Sequence, residues 1–90
     1  MFKKLITILS IILYPINAHP WEGYDLNNQT TIDIGTGNLV RDDKLIQFFD
    51  HNTNNFHDAR VIDISYDLQE TRLTIFDITL QQERQFIMED

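Results

Sequence analysis

The fold class follows from the stretch R-V-I-D-I-S-Y, residues 60–66, in which apolar and polar residues alternate. Such alternation is typical of a β-strand with one face toward a core, and it places Ile62, Ile64 and Tyr66 on one face. Residues 30–34 (TTIDI) alternate in the same way. Residues 44–49 and 72–78 are rich in β-branched and aromatic residues on both faces, as in the centre of a small barrel or sandwich.

Turn-forming residues separate these stretches. The turn clusters are Gly35-Thr36-Gly37-Asn38, Asp42-Asp43, His51 to Asn55 and Asp67 to Thr71. Glycine, asparagine and aspartate favour turns because they tolerate left-handed backbone or bond to their own backbone. No long window has uninterrupted helical spacing. The sequence therefore predicts an all-β fold, a small antiparallel meander or partly closed barrel of six or seven short strands.

An aromatic residue followed by aspartate occurs four times in the chain. The pairs are Tyr24-Asp25, Phe49-Asp50, Tyr66-Asp67 and Phe76-Asp77. An aromatic side chain packs well at a strand end, and an aspartate oxygen can accept a backbone N–H in the turn that follows. We therefore interpret the aspartates as turn residues of an imperfect hairpin repeat with a spacing near 25 residues, with Tyr66-Asp67 as an additional copy.

The first eighteen residues have the composition of an export signal. Lys3 and Lys4 precede the apolar run Leu5 to Leu13, Pro15 interrupts the segment, and Ala18 offers a small residue for cleavage. The run is about half the roughly 20 residues that a spanning helix needs. We expect cleavage after Ala18, export by the general secretory route, no stable membrane anchor afterwards, and a single β domain over residues 19–90 in the periplasm or outside the cell.

The predicted mature chain of 72 residues is small and acidic. Removing Lys3 and Lys4 leaves five basic residues against 14 acidic ones and lowers the net charge from −7 to −9. Nucleic acids are therefore poor candidate partners, because phosphate contacts need clustered basic residues. The chain has no cysteine, so no disulfide supports a domain of a size that is often marginal.

Two metal hypotheses arise from the polar residues. Asp50, Asn52, Asn54 and Asp58 match ligand positions of a calcium loop, although Asn55 replaces the turn glycine and Val61 the bidentate glutamate. The competing interpretation is a hairpin loop with Asn54 or Asn55 in the left-handed conformation. The second hypothesis concerns copper, which the amine and imidazole of a terminal His19 could chelate, with His51 and His57 as further ligands. We nevertheless expect His57, which precedes Asp58, to be a surface residue and predict no cofactor.

Evidence for catalysis is weak in the sequence. Ser65 has no glycine elbow around it. Asp42 and Asp43 could form the carboxylate pair of a hydrolase, but adjacent aspartates in a strand point to opposite faces. The pair Trp21 and Tyr24 could offer an aromatic ligand-binding surface, or it could cap the core.

Several short motifs follow one another in a recognisable order. They are Trp21-Glu22-Gly23-Tyr24-Asp25, Gly37-Asn38-Leu39-Val40-Arg41, Ile46 to Asp50, Phe56-His57-Asp58 and Phe86-Ile87-Met88-Glu89-Asp90. In this order the chain resembles a family of short exported proteins of Gram-negative bacteria, classed as a domain of unknown function. The resemblance implies an export signal and a compact β-rich domain, with no activity to transfer. Asn54 stands where the family's turns have glycine, and the turn from Ile78 to Gln82 lacks the family's Thr-Gly.

Three functional hypotheses follow. The leading one is a non-catalytic periplasmic or secreted module that binds an envelope protein or peptide through a sheet edge or through Trp21 and Tyr24. The second is a weak calcium-binding or copper-binding module. The third, a small cell-envelope hydrolase, has the least support.

Overall fold

The computed structural model describes residues 19–89, so the predicted signal segment 1–18 lies outside the described residues. The described part is all-β, as the alternating stretches predict. Its strands are β1 (Trp21–Asp25), β2 (Thr30–Ile34), β3 (Leu45–Asp50), β4 (Asn55–Tyr66), β5 (Thr71–Asp77) and β6 (Gln82–Met88). No helix in these residues is long and apolar enough to cross a membrane.

The six strands form a closed antiparallel barrel in chain order. Every strand pairs with its neighbour along the chain, and β6 pairs with β1, with Gly23 opposite Met88, so the sheet closes. The prediction of a small antiparallel barrel is confirmed, with six strands and full closure. Three turns, residues 26–29, 51–54 and 78–81, lie at one end, which we call the hairpin end. Loop 35–44, turn 67–70 and residues His19 and Glu89 lie at the other, the terminal end.

The barrel interior is filled by alternate residues of every strand. The buried apolar side chains are Ile32, Ile34, Ile46, Phe48, Ala59, Val61, Leu73, Ile75, Phe86 and Met88. Gly23 also faces inward, and Met88 occupies the space that a side chain there would take. Trp21, Val40 and Ile64 pack against this core and are partly buried. The terminal end of the barrel is therefore apolar, in contrast to the hairpin end.

A β-bulge in β4 changes the predicted face of that strand. The register with β5 shifts between Val61, which lies opposite Ile75, and Asp63, which lies opposite Thr74. A bulge adds one residue to one strand and so disturbs the alternation of side chains. Val61 is consequently buried, whereas Ile62 is 44% exposed and Tyr66 is 72% exposed. The expectation that Ile62, Ile64 and Tyr66 share one face is therefore wrong for Ile62. Ile64 and Tyr66 lie opposite the buried residues Leu73 and Thr71, but only Ile64 packs against the core.

Candidate functional site: a buried charge cluster and two outer surfaces

Three aspartates occupy equivalent positions in three hairpins. Asp25, Asp50 and Asp77 are the last residues of β1, β3 and β5, and all three are fully buried at the hairpin end. In each, Oδ1 accepts a backbone N–H of the following turn, from Asn27 at 2.8 Å, Asn52 at 2.7 Å and Leu80 at 3.0 Å. The predicted role of these residues in turns is confirmed. Asp67, the additional copy, accepts the Gln69 and Glu70 amides in a turn at the terminal end.

The repeat extends to the backbone of the three turns. The fourth residue after each aspartate has positive φ, namely Gln29 at 54°, Asn54 at 61° and Gln81 at 61°. Asparagine adopts this conformation more readily than most residues with a side chain. The left-handed conformation predicted for residue 54 or 55 therefore falls on Asn54.

The second oxygen of each aspartate faces Arg84, which projects from β6 into the barrel and is fully buried. Arg84 Nε donates to Asp25 Oδ2 at 2.7 Å, and Nη1 donates to Asp77 Oδ2 at 2.8 Å. Asp50 Oδ2 lies 2.9 Å from Nη1 as an ion pair, without the alignment of a hydrogen bond. Arg84 Nη2 also contacts Asp25 Oδ2. One guanidinium thus links the ends of three hairpins.

Two aromatic rings complete the surroundings of Arg84. Its Cζ lies 5.2 Å from the ring centroid of Phe48 and 5.5 Å from that of Phe86. Both distances fall in the range of cation–π attraction. A buried guanidinium needs compensating charges and hydrogen-bond acceptors. The three aspartates compensate its charge, and Asp25 and Asp77 accept its aligned hydrogen bonds, whereas Nη2 makes an ion-pair contact without such alignment.

The charge cluster, which we define as Asp25, Asp50, Asp77, Arg84 and His57, shifts the pKa values of two of its members. Burial by itself raises the pKa of Asp77, but hydrogen bonds from His57, the Leu80 amide and Arg84 outweigh it and lower the pKa. Burial likewise lowers the pKa of Arg84, and its hydrogen bonds to Asp77 and Asp25 reverse the direction and raise it. Both residues are therefore held in their charged forms.

His57 is part of this interior and not a surface residue, so that prediction is wrong. It lies opposite Phe48 in the register of β3 and β4, and only 2% of it is exposed. Its Nδ1 bonds to Asp77 Oδ2 at 2.8 Å and its Nε2 to Thr53 Oγ1 at 2.8 Å. Because an ionised carboxylate only accepts hydrogen bonds, Nδ1 carries a hydrogen.

Thr53, His57 and Asp77 are joined in the order in which hydrolases join a nucleophile, a base and an acid. Asp77 Oδ2 also accepts from Arg84, so the guanidinium already neutralises the charge that would stabilise an imidazolium. Asp77 and Thr53 belong to two neighbouring hairpins, which His57 ties together. We therefore interpret the three residues as a structural link across the hairpin end.

The residues of the calcium hypothesis do not converge. Asp50 points into the barrel toward Arg84 and is fully buried, whereas Asp58 is an exposed residue of β4 opposite Gln47. Asn52 contributes its backbone N–H to Asp50, and Asn54 supplies the left-handed residue of the same turn. Within residues 19–89, no group of three or more histidine, cysteine or acidic side chains has the arrangement of a metal site.

The three histidines of the copper hypothesis each have a different carboxylate neighbour. His51 Nε2 lies 2.7 Å from Asp33 Oδ2, and exposed His19 lies 3.9 Å from Glu89 Oε1. His57 is enclosed with Asp77 as described above. The structure thus does not bring the three imidazoles together. Asp42 and Asp43 lie in an exposed turn, where Asp43 pairs with Arg60 at 3.2 Å.

Trp21 and Tyr24 lie on opposite faces of β1, because successive side chains of a strand alternate. Trp21 faces inward, packs against the core and donates its indole N–H to the Glu89 carbonyl at 2.8 Å. Tyr24 faces outward between Thr31 of β2 and Ile87 of β6, and it is 43% exposed. The structure therefore does not form one aromatic surface from the two, and only Tyr24 is available on the outside of the barrel.

These features define a class of protein, a closed six-stranded antiparallel barrel with a threefold hairpin repeat bound to one buried arginine. The chain belongs to DUF5334, a family of unknown function, whose profile matches residues 21–90. The match begins at Trp21 and covers the described barrel, which confirms the resemblance to a domain of unknown function. No curated protein and no solved structure matches the chain.

Acidification tests the charge cluster. The folded-state pKa of Asp77 lies below its ordinary value of 3.8, so the ionised carboxylate stabilises the fold above that pH, and the stabilisation is lost as the pH falls through the folded pKa. We expect the free energy of unfolding, measured with urea, to fall steeply below pH 4. Asp77→Asn should be less stable at pH 7 and should show a shallower decline; an equal decline in both proteins would contradict the assignment.

Proposed function

We propose that the chain is an exported, non-catalytic module that binds an extended segment of another envelope protein at the free edge of β4. The export signal predicted in residues 1–18 supports a periplasmic or secreted location. The barrel interior is occupied by packed apolar side chains and by the charge cluster, in which Arg84 is paired with three aspartates. Because the interior is filled, we place the binding site on the outer surface of the barrel.

The observation that carries the proposal is an unpaired strand edge in the described residues. Pairing of β3 with β4 ends at Arg60, and Val61 makes the last backbone bonds in that direction, to Lys44 and Asp43. Beyond the bulge, residues 63–66 pair with β5 on one side and have no backbone partner among residues 19–89 on the other. An edge of this kind can accept a further strand.

The register identifies which groups are free. The Asp67 N–H donates to the Glu70 carbonyl at 3.1 Å, so this pair is hydrogen-bonded, and antiparallel pairs alternate between bonded and unbonded along a ladder. By that alternation, Tyr66 and Ile64 direct their backbone N–H and carbonyl groups away from β5. These groups are therefore available to an incoming strand.

The surroundings of this edge favour an amphipathic, basic segment. Ile62 and Tyr66 are exposed, and Leu68 at the tip of the turn is fully exposed. Asp63 lies on the strand itself, and Asp42 lies in the exposed turn before β3. Apolar contacts would supply affinity, and the acidic residues would select against acidic partners.

Tyr66→Pro tests strand addition. Proline removes the N–H directed to the free edge but is tolerated at an edge position, and Tyr66→Ala removes the ring while keeping the N–H. We expect a photo-crosslinker at Ser65, in the full chain produced in its own host, to yield one discrete protein adduct whose linked peptide is an extended segment. The adduct should fall at least severalfold in Tyr66→Pro and clearly less in Tyr66→Ala.

The control position is Asn28, exposed in a turn at the hairpin end. Adducts of equal yield from Asn28 and Ser65, or an equal loss in the proline and alanine variants, would contradict strand addition at β4. The intact mass of the same purified protein tests export separately, since cleavage after Ala18 should leave residues 19–90.

A further inference from the structure

The outer face of the barrel has a shallow groove where β1 and β6 close the sheet. Thr31, Tyr24 and Ile87 are successive cross-strand neighbours on β2, β1 and β6. Together with Glu22 and Glu89 they line a depression of about 320 Å³. The groove therefore combines an exposed aromatic ring and an aliphatic side chain with two carboxylates.

Acidic side chains outnumber basic ones around this groove. Glu22 lies directly opposite Asp33 on β2, and like charges at such a cross-strand position are unfavourable. Asp33 has His51 as its partner at 2.7 Å, and Arg72, opposite Ile87, pairs with Glu70 at 2.8 Å.

The two glutamates are held together by the backbone at this seam. The Glu89 N–H donates to the Glu22 carbonyl at 2.9 Å, and Glu89 Oε1 accepts the Glu22 N–H at 3.1 Å. Exposed His19 Nε2 lies 3.9 Å from Glu89 Oε1. Among residues 19–89, no ion-pair partner of Glu22 is present. A cation bound in the groove would offset this local repulsion.

We propose that this groove binds a lysine side chain of a partner protein. The methylene stem of lysine would lie along Ile87 and the Tyr24 ring, and its ammonium group would approach the two glutamates. An ammonium group over an aromatic face gains cation–π attraction in addition to its attraction to carboxylates. The assignment does not depend on strand addition at β4, because the groove lies on β1, β2 and β6.

Titration with capped lysine tests the groove. We expect Nα-acetyl-lysine methylamide to produce saturable NMR chemical-shift changes centred on Tyr24, Thr31 and Ile87, weakened by added salt. The Nε-acetylated form has the same stem without the charge and should bind far more weakly. Tyr24→Ala should weaken binding of capped lysine about three- to fivefold, and Glu22→Gln about two- to fivefold.

Glu83→Gln is the matched control, since it removes the same charge from an exposed position of β6 opposite Phe76. An equal effect of Glu83→Gln and Glu22→Gln would show that binding depends only on net charge, and it would overturn the site. Equal binding of the Nε-acetylated form, or no localised shifts, would also overturn it. Tighter binding of the free diamine cadaverine than of capped lysine would overturn the assignment to a protein side chain.

Discussion

Arg84→Ala is expected to lose a large part of the free energy of unfolding at neutral pH. Removing one partner from a buried ion pair costs about 3–5 kcal/mol, because the remaining charge is left uncompensated. Here three carboxylates, of Asp25, Asp50 and Asp77, lose the guanidinium that they share. A chain of this size has a free energy of unfolding of roughly 4–10 kcal/mol, so the substitution removes much of it. Circular dichroism during urea and thermal unfolding measures the loss.

Two further substitutions test whether the loss of stability is specific to Arg84 in the charge cluster or follows from removing any arginine. Arg72→Ala removes an exposed residue with one carboxylate partner, Glu70, and should cost less than about 1 kcal/mol. Arg84→Lys keeps the charge but loses the planar fork that reaches several carboxylates, so its stability should lie between those of the wild type and Arg84→Ala. A cost for Arg84→Ala no larger than that for Arg72→Ala would contradict the structural role of the cluster.

Trp21→Ala is expected to destabilise the barrel by about 2–3 kcal/mol, somewhat below the cost of removing a fully buried large aromatic residue. Trp21 packs against the core at the terminal end, and its indole N–H donates to the backbone carbonyl of Glu89, the residue after β6. Tyr24→Ala, on the outer face of the same strand, should change the free energy of unfolding by less than about 0.5 kcal/mol. Urea unfolding of the two variants measures the difference.

The comparison of these two variants also bears on the aromatic-end hypothesis. A destabilised Trp21→Ala protein with a stable Tyr24→Ala protein would leave Tyr24 as the one outer residue of the pair. Unchanged stability of Trp21→Ala would show that the indole contributes little to the core, and would restore Trp21 as a candidate binding residue.

Much of the barrel is predictable from the sequence because its signals are local. Alternation marks residues 30–34 as a strand, and the aromatic-aspartate pairs mark strand ends followed by turns. The bulge at Ile62 was not predicted. Val61 and Ile62 are consecutive apolar residues, so the alternation changes phase between them, but this doublet alone does not show that the strand continues through a bulge. The bulge depends on the register of β4 with β5, which is a property of two strands and not of one.

The charge cluster was missed because its two basic members resemble surface residues. Arg84 follows Glu83 in a strand with apolar residues on both faces, so alternation does not decide which way it points. The hairpin repeat does indicate which way these two side chains point. Arg84 and His57 each lie seven residues after an inward-facing aspartate, and Ile32 holds the same place in the first hairpin. Aligning the three hairpins on their aspartates would have placed both side chains in the interior.

The central claim is that one buried arginine joins three equivalent hairpins, and side-chain NMR of the arginines tests it most directly. Arg84 Nε–H is fully buried and bonded to Asp25 at 2.7 Å, whereas Arg60 and Arg72 are about half exposed and serve as internal controls. We predict a distinct Arg84 Nε–H resonance whose hydrogen exchange is slowed by orders of magnitude relative to the other two. Exchange of Arg84 as fast as that of Arg60 and Arg72 in the folded protein would contradict the account.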